Sequence, residues 1–559
     1  MCVLKLFWCI TQFFGIALAQ SLNDVCTTSY VVASLPAPGT IPGITIDNSS
    51  VAASPVANAE VANENMYPDA VFDYCNVSFA YSHDGRNDQV LLWYWLPAPQ
   101  NFQNRYLSTG GGGYAINSGN GSLPGGIIYG AAAGATDGGF GSFSISADEV
   151  ILLANGTINR DVLYAFGYEA IHEMSIIGKQ LTQNFFNMSN TKLYSYYQGC
   201  SEGGREGWSQ LQRFGDQFDG AVTVEQTMNY FPSPCELQAI VNATIAACDP
   251  MDGETDGVVS RTDLCKLNFN INSTIGKAYY CAAAPATAMP PSPATPVQNG
   301  TVTSQGVAVA ATIIDGLHNS NGQRAYLSYQ PAATFVDAQT TYSSATDSWG
   351  LYIDSLGGEW VEKFLNLQKG TNLPSLNNVT YDTLTQWMIL GWQRYEDVLQ
   401  TTRPDLTPLN NAGGKVIHYH GESDNSIPTA SSVRYWESVR SIMYPGQSYN
   451  DSAAALSEWY RLFLVPGAAH CAPNTLQPNG PFPQTNLAVL IDWVEKGVVP
   501  TTLNATYLAG QNLGQNAQIC AWPLRPFWTN NGSTLECQYD QASIDTWHYD
   551  MNAYKLPLY

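Results

Sequence analysis

Apolar and polar positions alternate along this chain in three regimes. From Val90, Val-Leu-Leu-Trp-Tyr-Trp-Leu-Pro is a nearly continuous apolar run of strand length. Arg105 to Thr109 reads as a second strand, running into Gly110-Gly111-Gly112-Gly113. Tyr194 to Gln198 is a third, aromatic strand, and a helix is expected over Trp208 to Phe214. Between them, about Val162 to Phe186, Tyr168, Ile171, His172, Ile176 and Leu181 fall on or near one helical face. His172 there reads as a packed helix histidine rather than a catalytic base. Upstream, Ser29 to Pro68 is rich in Ala, Pro, Val and Ser and reads as extended strands and loops. Between about Glu225 and Thr401 the strand and helix alternation fades, and Ala283 to Val309 is low in complexity. It returns with strands at Lys415 to Tyr419 and Arg461 to Val465. The pattern predicts an α/β fold interrupted by one large insertion, read as a lid.

The N-terminus adds a compartment. Lys5 precedes an apolar run from Leu6 to Leu18, and Ala17-Leu18-Ala19 is a small-residue cleavage site, so 1–19 reads as a secretory signal peptide. The run falls short of the roughly 20 residues of a membrane span. Twelve cysteines are present; Cys2 and Cys9 leave with the leader, and the other ten form an even set suited to an oxidising environment. Asn-x-Ser/Thr acceptors occur at Asn48, Asn76, Asn120, Asn155, Asn187, Asn242, Asn272, Asn299, Asn378, Asn450, Asn504 and Asn531, which suits a glycosylated surface. Net charge is −23 with 12% charged residues and no basic cluster. That excludes nucleic acid and anionic membrane as expected partners, and it leaves assembly into a homo-oligomer open.

Chemistry enters at Gly199-Cys200-Ser201-Glu202-Gly203. Gly-x-Ser-x-Gly between a strand and a helix is the nucleophile elbow, in which a turn too tight for flanking side chains lifts the serine above the sheet. The plain alternative is a Gly-rich turn with an ordinary serine. The glycine run at 110–113 can bring backbone N–H groups close to a small anion. In α/β-hydrolases such a loop supplies one oxyanion donor and the residue after the nucleophile supplies the other. Here those are Gly111, Gly112, Gly113 and Glu202. An acid at the end of a late strand is the expected triad carboxylate; Asp424 is chosen, with Glu422, two residues away, left open by pattern alone. His470, in the small-residue loop after the last strand, is the expected base. Serine, aspartate, histidine is the α/β-hydrolase chain order.

Cys200 precedes the serine and Cys471 follows the histidine. If the two pair, the Cα atoms of Ser201 and His470 lie within roughly 13 Å, although either cysteine could pair elsewhere. A separate motif lies in the insertion, Cys248-Asp249-Pro250-Met251-Asp252-Gly253-Glu254-Thr255-Asp256-Gly257-Val258. Three aspartates on a glycine-permitted loop can converge oxygen ligands on a hard cation such as Ca²⁺. The spacing is not that of an EF-hand, and two acidic Asp-Gly turns are the alternative.

Cys-Ser near Gly-Gly-Arg-x-Gly, an aspartate within His-Gly-x-x-Asp-x-x-Ile-Pro, and His-Cys together resemble the fungal tannase and feruloyl esterase family. The resemblance implies an α/β-hydrolase fold with a large inserted lid domain. It places the family's triad on Ser201, Asp424 and His470 and its triad-linking disulfide on Cys200 and Cys471. It also implies a structural calcium in the lid, with side-chain ligands at Asp249, Asp252 and Asp256, carbonyl ligands at Glu254 and Val258, and a closing bridge Cys248 to Cys265. Cys26 to Cys75, Cys235 to Cys281 and Cys520 to Cys537 are the remaining bridges it implies. The expected organisation is 20–225 and 401–559 as the catalytic domain and 226–400 as the lid. Asn229 to Cys235 and Asn552 to Tyr559 look most like the tannase branch. The activity implied is hydrolysis of galloyl esters to gallic acid, with a feruloyl esterase as the alternative and a catalytically silent binding protein as a further one.

Overall fold

A computed structural model describes residues 20–554 apart from 142, 223–231, 289, 290, 293, 339 and 531. The leader, Asn531, residues 229–231 and residues 555–559, all used above, lie outside the described residues. Nine strands form the main sheet: β1 (Ile44–Val61), β2 (Ala70–His83), β3 (Val90–Pro97), β4 (Arg105–Thr109), β5 (Ala131–Thr136), β6 (Tyr194–Gln198), β7 (Gly220–Val222), β8 (Lys415–Gly421) and β9 (Tyr460–Val465). Their spatial order is 1-2-3-5-4-6-7-8-9. The first part is antiparallel from β1 to β5, and the pairs from β5 through β4, β6, β7 and β8 to β9 are parallel. This is an α/β-hydrolase-type architecture.

The sequence explains the division. Strands covered on both faces need apolar residues throughout, and β5 is Ala-Ala-Ala-Gly-Ala-Thr, buried at all six positions. β1 is exposed along much of its length and carries the mixed Ala, Ser, Asn pattern of an edge. Helix α1 (Ala170–Phe185) lays Ile171, Met174, Ile177, Leu181 and Phe185 on the sheet. A Cβ on its Gly178 would stand 2.5 Å from Tyr106, so a bare backbone is needed for this approach. The helix is preceded by a wider turn at Ala165–Glu169 and a short helix from Arg160, so the expected 162–186 element is built in three pieces.

One expectation is corrected. Within the stretch read as extended, Thr28–Ser34 is a helix, because the Thr27 hydroxyl caps the N–H of Tyr30 at 3.3 Å. Tyr30 then packs edge-on against Phe185. The strand expected in that stretch is β1, with irregular backbone on either side of it.

The chain leaves the sheet after β7 and returns at β8. The intervening segment has a core of its own, with Leu237, Ile240, Val241, Val302, Val307 and Phe335 among its members. The ten cysteines pair as Cys26–Cys75, Cys200–Cys471, Cys235–Cys281, Cys248–Cys265 and Cys520–Cys537. Ten of the glycosylation acceptors are exposed and Asn76 is half-buried. Among the described residues, no helix is long and apolar enough to cross a membrane.

Candidate active site

Ser201 sits between β6 and helix α2 (Glu202–Arg213), at φ 59° and ψ −125°. A side chain in that region is strained and persists only when its surroundings impose it. The flanking glycines do the imposing. A Cβ on Gly199 would stand 2.5 Å from the Gly203 carbonyl oxygen, and one on Gly203 would stand 2.8 Å from the Gly111 oxygen. The motif is therefore a packing requirement, and it leaves Ser201 partly exposed at the carboxyl end of the sheet.

Asp424 follows β8 and His470 follows β9, so all three residues emerge at the carboxyl end of the sheet. His470 Nδ1 lies 3.0 Å from Asp424 Oδ2. Asp424 Oδ1 accepts the N–H groups of Ser426 and Ile427, each at 2.8 Å. Burial pushes the Asp424 carboxyl up, but hydrogen bonds from His420 and His470, joined by the charge of His470, hold it down at about 2. Burial disfavours the charged form of His470, yet the Asp424 bond and charge, with the charge of Asp337, keep its pKa above the ordinary value. No hydrogen bond joins Ser201 Oγ to His470 among the described contacts. Their backbones are held together by Cys200–Cys471, whose Cα atoms are 6.2 Å apart. That keeps the Cα atoms of Ser201 and His470 within about 14 Å.

Glu422 is not beside His470. Its Oε2 accepts from Arg525 at 2.7 Å and from Thr262 at 2.6 Å in a fully buried cluster. The alternative left open by pattern is thereby closed, because the carboxylate is committed to an arginine.

The glycine loop narrows the expected oxyanion donors. Gly111 N–H donates to Glu206 Oε2 at 3.0 Å, and Gly112 N–H donates to the Ala115 carbonyl at 3.1 Å. These two are engaged, which corrects the even-handed expectation for 111–113. Gly113 remains, together with Glu202, whose N–H is the first of helix α2 and has no helical acceptor. Gly203 N–H donates to the Gly111 carbonyl at 3.0 Å, tying loop to elbow. Glu206 is the residue sequence reading missed; burial, then the nearby Glu202 charge, pushes its carboxyl well up. Its only signal was an acid close behind the elbow, ahead of the expected helix, which in fact begins at Glu202 and buries it.

A cleft of about 510 Å³ opens on this loop, lined by Gly112, Gly113, Tyr114, Asp148, Glu359 and Lys363 among others. Lys363 Nζ donates to Asp148 at 2.5 Å and stands 3.5 Å from Glu359. Burial, then Asp148, pushes the Glu359 carboxyl up to about 7.

The acidic loop lies at the end of helix α3 (Pro234–Cys248). Asp249, Asp252 and Asp256 each accept one backbone N–H from within the loop. Asp252 Oδ2 is buried with no partner. Burial, and after it the neighbouring carboxylates, raise Asp252 to about 6 and Asp256 to about 7. A buried, self-repelling, all-oxygen donor set with an orphaned carboxylate oxygen fits a hard cation. Among the described residues, side-chain donor atoms of His83, Glu169 and Glu173 lie within 4.8 Å of one another. There His83 bonds Asp88 and Glu173, and Arg86 pairs with Glu169.

A family model described as tannase and feruloyl esterase matches residues 75–230 and 222–543. The chain is 50% identical to a tannase of Aspergillus oryzae over 97% of each chain. It is 31% identical to a probable feruloyl esterase of Arthroderma benhamiae over 85% of this chain and 88% of that one. A solved tannin acyl hydrolase from Aspergillus niger matches with a TM-score of 0.92 and 60% identity, covering 96% of this chain and 99% of that one. Feruloyl esterase B from Aspergillus oryzae matches with a TM-score of 0.66 and 25% identity, covering 92% and 100%.

Proposed function

The chain belongs to the tannase and feruloyl esterase family and is a carboxylic ester hydrolase; from that premise we propose that it is a secreted enzyme releasing gallic acid from the galloyl esters of tannins. The observation that carries this reading is the 60% identity to a tannin acyl hydrolase over nearly the whole of both chains. The cleft beside the glycine loop favours it further, since one lysine and three carboxylates suit a ring bearing several hydroxyls better than a methoxylated one.

In the proposed mechanism His470 Nε2 takes the Ser201 proton as Oγ attacks the ester carbonyl, while Nδ1–H stays bonded to Asp424. Ionised Asp424 fixes that tautomer and stabilises the imidazolium. The N–H of Glu202, at the positive end of helix α2, and that of Gly113 face the developing oxyanion, each such donor being worth about 3 kcal/mol. The imidazolium protonates the leaving alcohol, and water, activated by the same base, then frees gallate from the acyl-enzyme. Asp249, Asp252 and Asp256, with the carbonyls of Glu254 and Val258, would hold the structural calcium, which supplies charge neutralisation within the loop.

Ser201→Ala is expected to abolish methyl gallate hydrolysis with the melting temperature retained; persisting hydrolysis would remove the nucleophile assignment. Initial rates on methyl gallate and methyl ferulate decide substrate class. A higher kcat/KM on ferulate would replace this reading with that of the feruloyl esterases, whose relatives match at lower identity.

A further inference from the structure

Behind the Asp424 carboxylate lies a second histidine the mechanism does not use. His420 Nε2 is 3.2 Å from Asp424 Oδ2, the same oxygen that bonds His470. His420 Nδ1 is 2.7 Å from Ser432 Oγ, that oxygen is 2.8 Å from His418 Nε2, and His418 Nδ1 is 2.8 Å from Tyr460 Oη. Every member is buried, with at most 6% exposed.

With both imidazoles neutral, counting hydrogens assigns the direction of each bond. An ionised carboxylate only accepts, so His420 carries its hydrogen on Nε2. With that one hydrogen placed, Nδ1 accepts, and the single hydroxyl hydrogen of Ser432 goes to it. Ser432 Oγ must then accept from His418 Nε2–H. His418 Nδ1 is left as an acceptor, and the Tyr460 phenol donates to it. Five groups close with every hydrogen used once and all of them directed toward Asp424.

We propose that His420 is a positioning residue for this esterase, whose Nε2–H, held by the Ser432–His418–Tyr460 chain, fixes the carboxylate oxygen that orients His470. The proposal rests on the Ser201–Asp424–His470 reading. It predicts two effects of losing that donor. Asp424 Oδ2, still bonded to His470 but no longer held from behind, lets the imidazole leave its reactive orientation more often, which lowers kcat rather than raising KM. Its Oδ2 also turns more of its negative charge on His470, which moves the acid limb of activity to higher pH. The other titratable groups facing this cluster are His418 on β8, Tyr460 on β9, Tyr435 on the helix that carries Ser432, and Asp337 from the inserted segment, whose charge reaches His470. All four are left unchanged in the His420 variants.

The test is the pH profile of kcat and kcat/KM on methyl gallate for the full chain and for His420→Gln, His420→Asn and His420→Leu, with melting temperatures alongside. Gln keeps an N–H near the Nε2 position, whereas Asn keeps a polar atom only on the Ser432 side. Leu and Asn are expected to lose roughly tenfold to a hundredfold in kcat, the scale on which outer hydrogen-bond partners act on the groups they orient. Both should show an acid limb displaced upward and a nearly unchanged KM, and Gln should recover most of the loss. Gln falling as far as Leu at equal stability, or an unmoved acid limb in Leu and Asn, would overturn the proposal. Ser432→Ala, which breaks the chain while keeping the Nε2 donor in place, carries the test if the His420 variants unfold. A smaller shift of the same sign supports the proposal, and an unmoved profile overturns it. Activity surviving in Ser201→Ala would instead remove the triad reading itself.

Discussion

At the scale of the residue, the chemistry depends on side chains held where free solution would not hold them. Ser201 is kept at positive φ by two glycines that cannot be replaced without a clash. His470 and Asp424 are shifted in opposite directions by one another, and the signs give a pH prediction. In the proposed mechanism the neutral imidazole of His470 is the base, and its pKa in the free enzyme is raised. The acid limb of kcat/KM should therefore titrate above the ordinary histidine value of about 6.5. Stability follows by linkage. The raised His470 contributes stability present below about 6.5, lost as pH rises through its folded value. The depressed Asp424 contributes stability present above about 4 and lost as pH falls through about 2. Asp424→Asn should lower kcat/KM by up to about 10⁴-fold by releasing the wrong tautomer. A pH–rate series for both proteins checks it, and an acid limb at or below the ordinary value would contradict the ion-pair geometry.

At the scale of the element, the glycine loop shows why a motif needs its contacts before it can be interpreted. Four consecutive glycines look equivalent in the sequence, yet their surroundings differ. A Cβ at Gly111 would meet the Ala115 oxygen at 1.8 Å, whereas one at Gly112 meets nothing within 4 Å. Gly111→Ala should cost about 1–3 kcal/mol by displacing the loop from the elbow it is bonded to, with kcat falling in step. Gly112→Ala should leave the melting temperature within a degree or two. Thermal melts of the two variants separate these roles, and equal melting temperatures would show the loop to be slack. The strands at Val90, Tyr194, Lys415 and Arg461 were legible because burial of both faces makes them short runs dominated by apolar and aromatic residues. The helix at Thr28–Ser34 was not, because its seven residues are set by one capping hydroxyl and one aromatic contact rather than by periodicity.

At the scale of the whole molecule, the acidic loop is tied to the segments that carry the proposed triad. Val259 N–H donates to Gln477 Oε1 at 2.8 Å, Gln477 donates to Ser423 at 2.6 Å, and Asn479 donates to the Asp256 carbonyl. Val258 packs against Gly467, three residues from His470. A chelator that removes calcium should therefore lower both the melting temperature and kcat on methyl gallate, with both restored by added Ca²⁺. A metal assay of the purified protein finding no calcium, with neither quantity moved by the chelator, would exclude the ion. The sequence by itself determined the choice of three candidate catalytic residues, because Gly-Cys-Ser-x-Gly, the late-strand acid and His-Cys are local patterns set by short-range sterics and chain order. It also determined the strands that carry them. What only the tertiary structure decided lies in contacts between residues distant in the chain. Arg525 takes Glu422 away from the site, Glu206 engages a glycine N–H ninety-five positions earlier, and helix and sheet together bury His420 against Asp424. No local pattern encodes such partners, because which polar groups must satisfy one another is settled only when packing removes them from water.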